Sequence, residues 1–503
     1  MRSISKTLIL VCTCIGTLSA CGGGGSSAVS PPITPISSAP PPAPDPVPMS
    51  GPSAPRLTAT ASQPSWLNSA VIYNAYTEIF STGGNFAGVT AQLPRLHALG
   101  INVLWLMPIC PLGQAINGHP SYGSPYAISD HTSINPKYGT SSELATLVQT
   151  AHGLGIKVII DMPLNHTSWD NPLISIHPEY YVHSDSDPFK VSSIQQAFNF
   201  ADVAQLNYKW SVNGTLQNGL QQYMVSMLQN WITKYDIDGF RFDMPDNPGN
   251  SGRMIPASFW QALRPQLEAI KPSILMLGEE QNKDLTTTPF ELDYGWQLQS
   301  VLAQAATTGN PSSLRAAWQG QITGWPIGSM HMTILQNWDL AQDFQLYGGN
   351  SGTMAAAVFN FTIDGVPLLW NGEEVGNNNS GNNTHNVINW SGSNAAQFTQ
   401  FYTSLIAVRN ANTALQQGSL TWVTTTLANQ VIAYDRSDIN AEFLIEINFS
   451  GTQANGSLSN LPAGAATWTE VTPAGAPGGV NHTALPYFKL APYDFAIFKR
   501  NAN

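Results

Sequence analysis

With 20 Lys and Arg against 31 Asp and Glu in 503 residues, the chain carries a formal net charge of −11, and charged side chains make up only 10% of it, well below the ~25% usual for soluble proteins. No basic run is present, which argues against a nucleic-acid partner held through its phosphates. The surface must be built largely from Ser, Thr, Asn, Gln and Gly, and such a surface suits a neutral, hydroxyl-rich partner.

Residues 1–20 read as an export signal, because Arg2 and Lys6 precede an apolar run at 8–15 and Leu18-Ser19-Ala20-Cys21 follows. Those last four residues resemble the lipobox of bacterial lipoproteins. The resemblance implies that Cys21 is lipidated and holds the protein to the bacterial membrane, at the cell surface or on the periplasmic face. Cys12 and Cys14 leave with the signal, so Cys110 is the remaining thiol and no intrachain disulfide is expected. Residues 21–64 are Gly, Ser, Ala and Pro with hardly a charge, too poor in apolar groups to offset the entropy of ordering, and read as a flexible tether.

From Trp66 onward short apolar runs alternate with helical patterns, the signature of an α/β fold with a parallel sheet. A strand is expected at 70–74. A helix at 89–99 follows, with Leu93, Leu96 and Leu99 on one face and Gly100 closing it. The run 102–107 reads as a buried strand. The unit repeats as a helix at 143–154 and a strand at 157–161, then a helix at 220–232 and a strand at 240–242. A helix at 259–270 leads to a strand at 273–277, and later strands fit 331–335 and 366–370. Seven or eight βα units over roughly 340 residues predict a (β/α)8 TIM barrel at 65–410 with one insertion, at about 167–207. A helix at 398–409 and alternating strands at 431–435 and 442–449 follow, so 411–503 is expected to be a C-terminal antiparallel β-sandwich.

Polar residues gather at the predicted strand ends. Strand three ends in Asp161-Met-Pro-Leu-Asn165-His166, strand four in Arg241-Phe-Asp243, strand five in Gly278-Glu279 and strand seven in Asn337-Trp338-Asp339. Arg241 stands two residues before Asp243, on the same side of the pleat, where its charge favours an ionised carboxylate. Two carboxyls at neighbouring strand ends, one beside a cation and one after an apolar run, suit unlike protonation states. The apolar approach 274–277 favours the protonated role for Glu279. Glu280 points the opposite way from its neighbour and only one of the two can face the barrel mouth.

Together with Gly123-Ser-Pro-Tyr126, residues 135–140 and residues 365–374, these strand ends resemble the α-amylase superfamily of glycoside hydrolases, family thirteen. The resemblance implies Asp243 as nucleophile, Glu279 as general acid/base and Asp339 as a third carboxylate gripping sugar hydroxyls. It further implies that Arg241 orients the nucleophile, that His166 contacts the same sugar and that Tyr126 stacks on it. The implied partner is a starch-like α-glucan or maltooligosaccharide, cleaved with retention, and a monomer is expected. A transglycosylase on the same scaffold and a glucan-binding protein without turnover remain alternatives. The insertion stands where the family places the small domain that walls the cleft.

Three departures stand out. Trp338 occupies the place of the family's usual histidine before the third carboxylate, and it either lines the site or packs between strands. Asp246 and Asn247 replace a frequent Lys/His pair past the nucleophile. Gln205 stands where an aspartate usually serves calcium, and this hard cation wants six to eight oxygens, carboxylates among them, so no tightly bound metal and no cofactor are expected.

Overall fold

The computed structural model describes residues 63–212, 215–245, 255–286, 288–340, 344–378, 385–463 and 467–502. The signal, the tether up to residue 62, Cys21 and the Asp246-Asn247 pair lie outside the described residues.

Eight parallel strands form the barrel: β1 Ile72–Ala75, β2 Val103–Leu106, β3 Lys157–Asp161, β4 Gly239–Phe242, β5 Leu275–Gly278, β6 Asp293–Tyr294, β7 His331–Thr333 and β8 Val366–Trp370. Their spatial order is β6-β7-β8-β1-β2-β3-β4-β5. A parallel bridge from Leu277 to Leu292, with Gly278 N–H donating to the Leu292 carbonyl at 3.0 Å, joins the two ends. The expected barrel is therefore present.

The helices begin and end where their chemistry dictates. The Asn85 side chain caps Phe86–Leu99, and Gly100 ends it in the left-handed region at φ 97°. A Cβ there would also stand 2.7 Å from Ile406, so glycine is required twice over. Thr140 and Glu143 form a reciprocal capping box on Ser141–Gly153.

Strand parity sorts side chains into two cores. Ile72, Val103, Trp105, Ile159, Leu275 and Leu277 fill the barrel interior with Tyr294, Met332 and Leu368. Tyr73, Leu104, Leu106, Val158, Ile160, Phe240, Phe242 and Met276 face the surrounding helices. Continuing the inner parity past the strand ends puts Asp161, Arg241, Asp243 and Glu279 toward the barrel axis and Glu280 toward the outer layer. There the Glu280 side chain shares the space over Gly278 with the Phe290 ring.

Two expectations are corrected in detail. Strand seven stops at Thr333 rather than at 335, because the Asn337 side chain accepts from the backbone of Asp339 and Leu340 (3.0 and 2.9 Å) and turns the chain across the mouth. Strand six, unassigned from the sequence, is the two-residue Asp293–Tyr294.

The insertion leaves after β3 as a short antiparallel pair, His166–Ser168 with Val203–Gln205. At the C-terminal end, seven antiparallel strands lie in the order Thr469–Glu470, Phe495–Asn501, Ala441–Asn448, Val431–Ser437, Ser419–Thr425, Ala454–Ser459, Tyr487–Leu490. One face (Tyr434, Phe443, Ile445, Ile497) joins the barrel's outer core, and the other (Val431, Leu444, Leu490, Phe498) closes on itself as the sandwich interior. Cys110 is buried and unbridged. None of the described helices is long and apolar enough to cross a membrane.

Candidate active site

The register of β3, β4 and β5 sets Asp161 beside Arg241 and Arg241 beside Leu277, so the residues that end these strands meet at one level. Arg241 is their hub. Its Nη1 donates to Asp161 Oδ1 and Oδ2 (2.9 and 3.1 Å) and to Asp243 Oδ1 (3.2 Å). Its Nη2 pairs with Glu279 Oε2 at 2.6 Å, and its Nε donates to the Tyr294 hydroxyl at 3.2 Å. The guanidinium carbon lies 5.4, 5.5 and 5.6 Å from the ring centres of Trp105, Tyr126 and Tyr294. Arginine suits this place because a planar fork satisfies several carboxylates at once while its faces rest on aromatic rings.

The sequence paired Arg241 with Asp243; the structure shows it shared with Asp161 and Glu279. Asp161 is the residue that sequence reasoning passed over. It is fully buried, and it also accepts from the Tyr126 hydroxyl at 3.1 Å, so it fixes both the arginine and the tyrosine. Its signal was present: it has the inner parity of β3 and ends that strand.

Four carboxyls face one guanidinium, and the charge cannot balance with all of them ionised. Burial pushes Glu279 well above the ordinary glutamate range; Arg241 opposes that shift, while Asp243, Asp339 and Asp161 add to it. Burial likewise raises Asp339 to about 6 and Asp161 to about 7, with Arg241 lowering and Asp243 raising each. Met244 N–H donates to Glu279 Oε2 at 3.2 Å, and Asn165 Nδ2 donates to the Asp243 carbonyl at 3.0 Å. The barrel mouth thus holds Glu279, raised by burial, beside Asp243, with both paired to Arg241.

These groups open into a cavity of about 690 Å³, lined by Tyr126, His166, Asp243, Glu279, Trp338 and Asp339 among others. The structure therefore brings together every predicted catalytic and substrate-contacting side chain except Arg241, which lies beneath them, 1% exposed. His166 Nε2 donates to the Tyr126 carbonyl at 3.0 Å, and burial lowers its pKa, so the ring is neutral with Nδ1 as its acceptor. Trp338 resolves its two readings by fulfilling both: it is 6% exposed and belongs to the outer core, yet it also lines the cavity. It packs edge-on against Tyr76, with centroids 5.1 Å apart, and against His385 at 5.6 Å.

Further lining escaped the sequence reading. Phe198, Phe200 and Asp202 come from the insertion, Trp296 from the start of the helix after β6, and His385 from the segment after β8. The insertion's position was legible; its aromatic content facing the cavity was not, since an isolated loop Phe carries no periodicity.

Asn165 donates through Nδ2 to the Asp243 carbonyl while its Oδ1 is buried without a hydrogen-bond partner, Gln205 brings no charge, and among the described residues no group of three or more His, Cys, Asp or Glu could hold a metal ion.

A family model described as the alpha amylase catalytic domain matches residues 60–412. The chain belongs to the alpha-amylase family of glycoside hydrolases. It is 23% identical over 421 residues to the alpha-amylase MalA of Haloarcula japonica, covering 80% of this chain and 58% of that one. It is 24% identical over 431 residues to a cyclomaltodextrinase of a Bacillus species, covering 76% and 73%. Against MalA, the chain therefore spans less than two thirds of the relative's length. Among solved structures, a maltogenic alpha-amylase of Thermotoga neapolitana superposes with a TM-score of 0.70 at 24% identity, covering 86% of this chain and 96% of that one. An alpha-amylase of Geobacillus thermoleovorans, complexed with acarbose, gives 0.71 at 20% identity, covering 86% and 98%. At these identities the superpositions speak for the shared fold.

Proposed function

We propose that this protein hydrolyses α-glucosidic bonds in starch-like glucans or maltooligosaccharides with retention of configuration. The observation that carries this reading is the pairing of Asp243 and Glu279 with two nitrogens of one buried arginine, at the floor of a cavity wide enough for sugar rings. Retaining glycosidases hold their two carboxyls about 5–5.5 Å apart, and two oxygens bridged by a single guanidinium are compatible with that spacing.

In the first step an Asp243 oxygen bonds to the anomeric carbon as the bond to the leaving oxygen breaks. Glu279 gives that oxygen its proton. In the second step Glu279, now ionised, takes a proton from water; the hydroxide oxygen bonds to the anomeric carbon, and the ester to Asp243 breaks. Asp339 accepts hydrogen bonds from hydroxyls of the same sugar, His166 Nδ1 accepts another, and Tyr126 offers its ring face. Arg241 stabilises charge on Asp243 without itself reacting.

The apolar wall of Phe198, Phe200 and Trp296 favours a second outcome on the same scaffold, in which a stacked acceptor sugar replaces water. Reducing-end release from soluble starch tests the proposal. New reducing ends lost in Asp243→Asn support hydrolysis, longer products at constant reducing ends support transfer, and binding without either would reduce the protein to a glucan binder.

Outside the described residues, Leu18-Ser19-Ala20-Cys21 supports export and lipid anchoring through Cys21. Metabolic labelling with a palmitate analogue, compared between the natural chain and Cys21→Ser, tests it.

A further inference from the structure

We propose that His385, which arrives in the cavity from the segment after β8, is a substrate-binding residue that accepts a hydrogen bond from a hydroxyl of the sugar facing Asp339. This rests on the glucan-hydrolase reading given above.

His385 lines the same cavity as the three carboxyls. Its ring is held on three sides. Nδ1 lies 3.3 Å from the Tyr76 hydroxyl and 3.4 Å from Glu78 Oε1. The Tyr76 hydroxyl already donates to Glu78 Oε2 at 3.0 Å, so it can only accept from His385. Nδ1 therefore carries the proton, and in the neutral ring Nε2 presents a lone pair. The ring also packs edge-on against Trp338 and Tyr76, at 5.6 and 5.9 Å between centroids. Glu78 is itself anchored by Lys137 at 3.0 Å, which keeps it ionised as the ring's orienting partner.

These contacts leave Nε2. The side chain is 42% exposed and lines the cavity. Among the described residues Nε2 has no hydrogen-bond partner, and a fixed, oriented acceptor on a cavity wall is what recognises a sugar hydroxyl. Trp338, directly before Asp339, forms the link: its ring presses on His385 while its backbone leads into the carboxylate. The two acceptors therefore reach the cavity from adjoining wall elements.

The test uses the full chain with maltoheptaose as probe. His385→Ala should lower kcat/KM about tenfold, the worth of one hydrogen bond. In an Asp243→Asn background it should weaken maltoheptaose binding by a similar factor. His385→Gln, whose amide reaches the Nε2 position, should restore most of the loss. His385→Asn, whose amide reaches only the Nδ1 position, should not. Melting temperature should be unchanged in all three. Equal kinetics in His385→Ala and the parent would overturn the proposal, as would equal losses in Gln and Asn accompanied by a lowered melting temperature. A parent that neither cleaves nor binds maltoheptaose would overturn the hydrolase reading and this assignment with it. An active parent with indifferent His385 variants would overturn this assignment alone.

Discussion

Among the described residues, two clusters of buried acidic groups invite comparison, and one of them opens onto a cavity. At the barrel mouth Asp161, Asp243, Glu279 and Asp339 share Arg241 and open onto a cavity. In the C-terminal sandwich His482 sits between Glu470 (2.6 Å from Nδ1) and Asp494 (3.1 Å from Nε2), with Glu446 close by. There the partners come from the protein itself: backbone N–H groups of Asn481 and His482 donate to Glu470, and those of Gly478 and Ala491 donate to Asp494. Both regions shift their acids strongly. Burial raises Glu446 to about 8, as it raises Glu279. The difference is access, so a displaced pKa marks a place of low dielectric and becomes a functional argument only beside space for a ligand.

Mutations should separate the two regions. Asp243→Asn should reduce turnover of starch by roughly 10⁴-fold or more, the scale of losing a nucleophile, without changing the melting temperature. Glu279→Gln should cost about 10²–10⁴-fold on glucans and far less in the first step on aryl glucosides with good leaving groups, whereas Glu280→Gln should leave kinetics near normal. Trp338→Ala should change both kcat/KM and stability. Its loss of stability should fall below the ~3–5 kcal/mol of a fully enclosed tryptophan, because one face fronts the cavity. Denaturant unfolding together with kinetics on this single variant measures both effects.

In the sandwich, activity should not move. Glu446 has a folded pKa raised above its unfolded value, so its contribution is fully present below about pH 4.5 and is lost as pH rises through about 8. Glu446→Gln should therefore be within about 0.5 kcal/mol of the parent at pH 5 and become the more stable of the two above pH 8, at unchanged kcat. His482 is pushed up to about 9 by its carboxylate partners against the opposing effect of burial, so its stabilisation is complete below about pH 6.5 and lost as pH rises through about 9. The parent's melting temperature should fall over that interval more than that of His482→Gln.

Much of this was legible in the chain itself. Strands β3 and β8 fall at the residues that periodicity assigns, because each is a continuous apolar run bounded by turn chemistry. The catalytic candidates were legible as polar strand ends that resemble the α-amylase pattern; parity showed that only one of Glu279 and Glu280 could face the axis, and the resemblance picked Glu279. Strand β6 was not, since two residues carry no alternation, and its identity comes from pairing with β7. Asp161 was visible but unweighted, because its role depends on a register between strands about 80 residues apart in sequence, fixed only when the sheet forms. His385 and Phe200 reach the cavity through loop paths that composition does not encode.

The configuration of the first sugar released tests the central claim most directly. Proton NMR of maltoheptaose hydrolysis, recorded before mutarotation, should show the new reducing end as the α-anomer, formed through the ester on Asp243. A first-formed β-anomer would mean that water attacks directly, and would contradict the assignment of Asp243 as nucleophile beside Glu279.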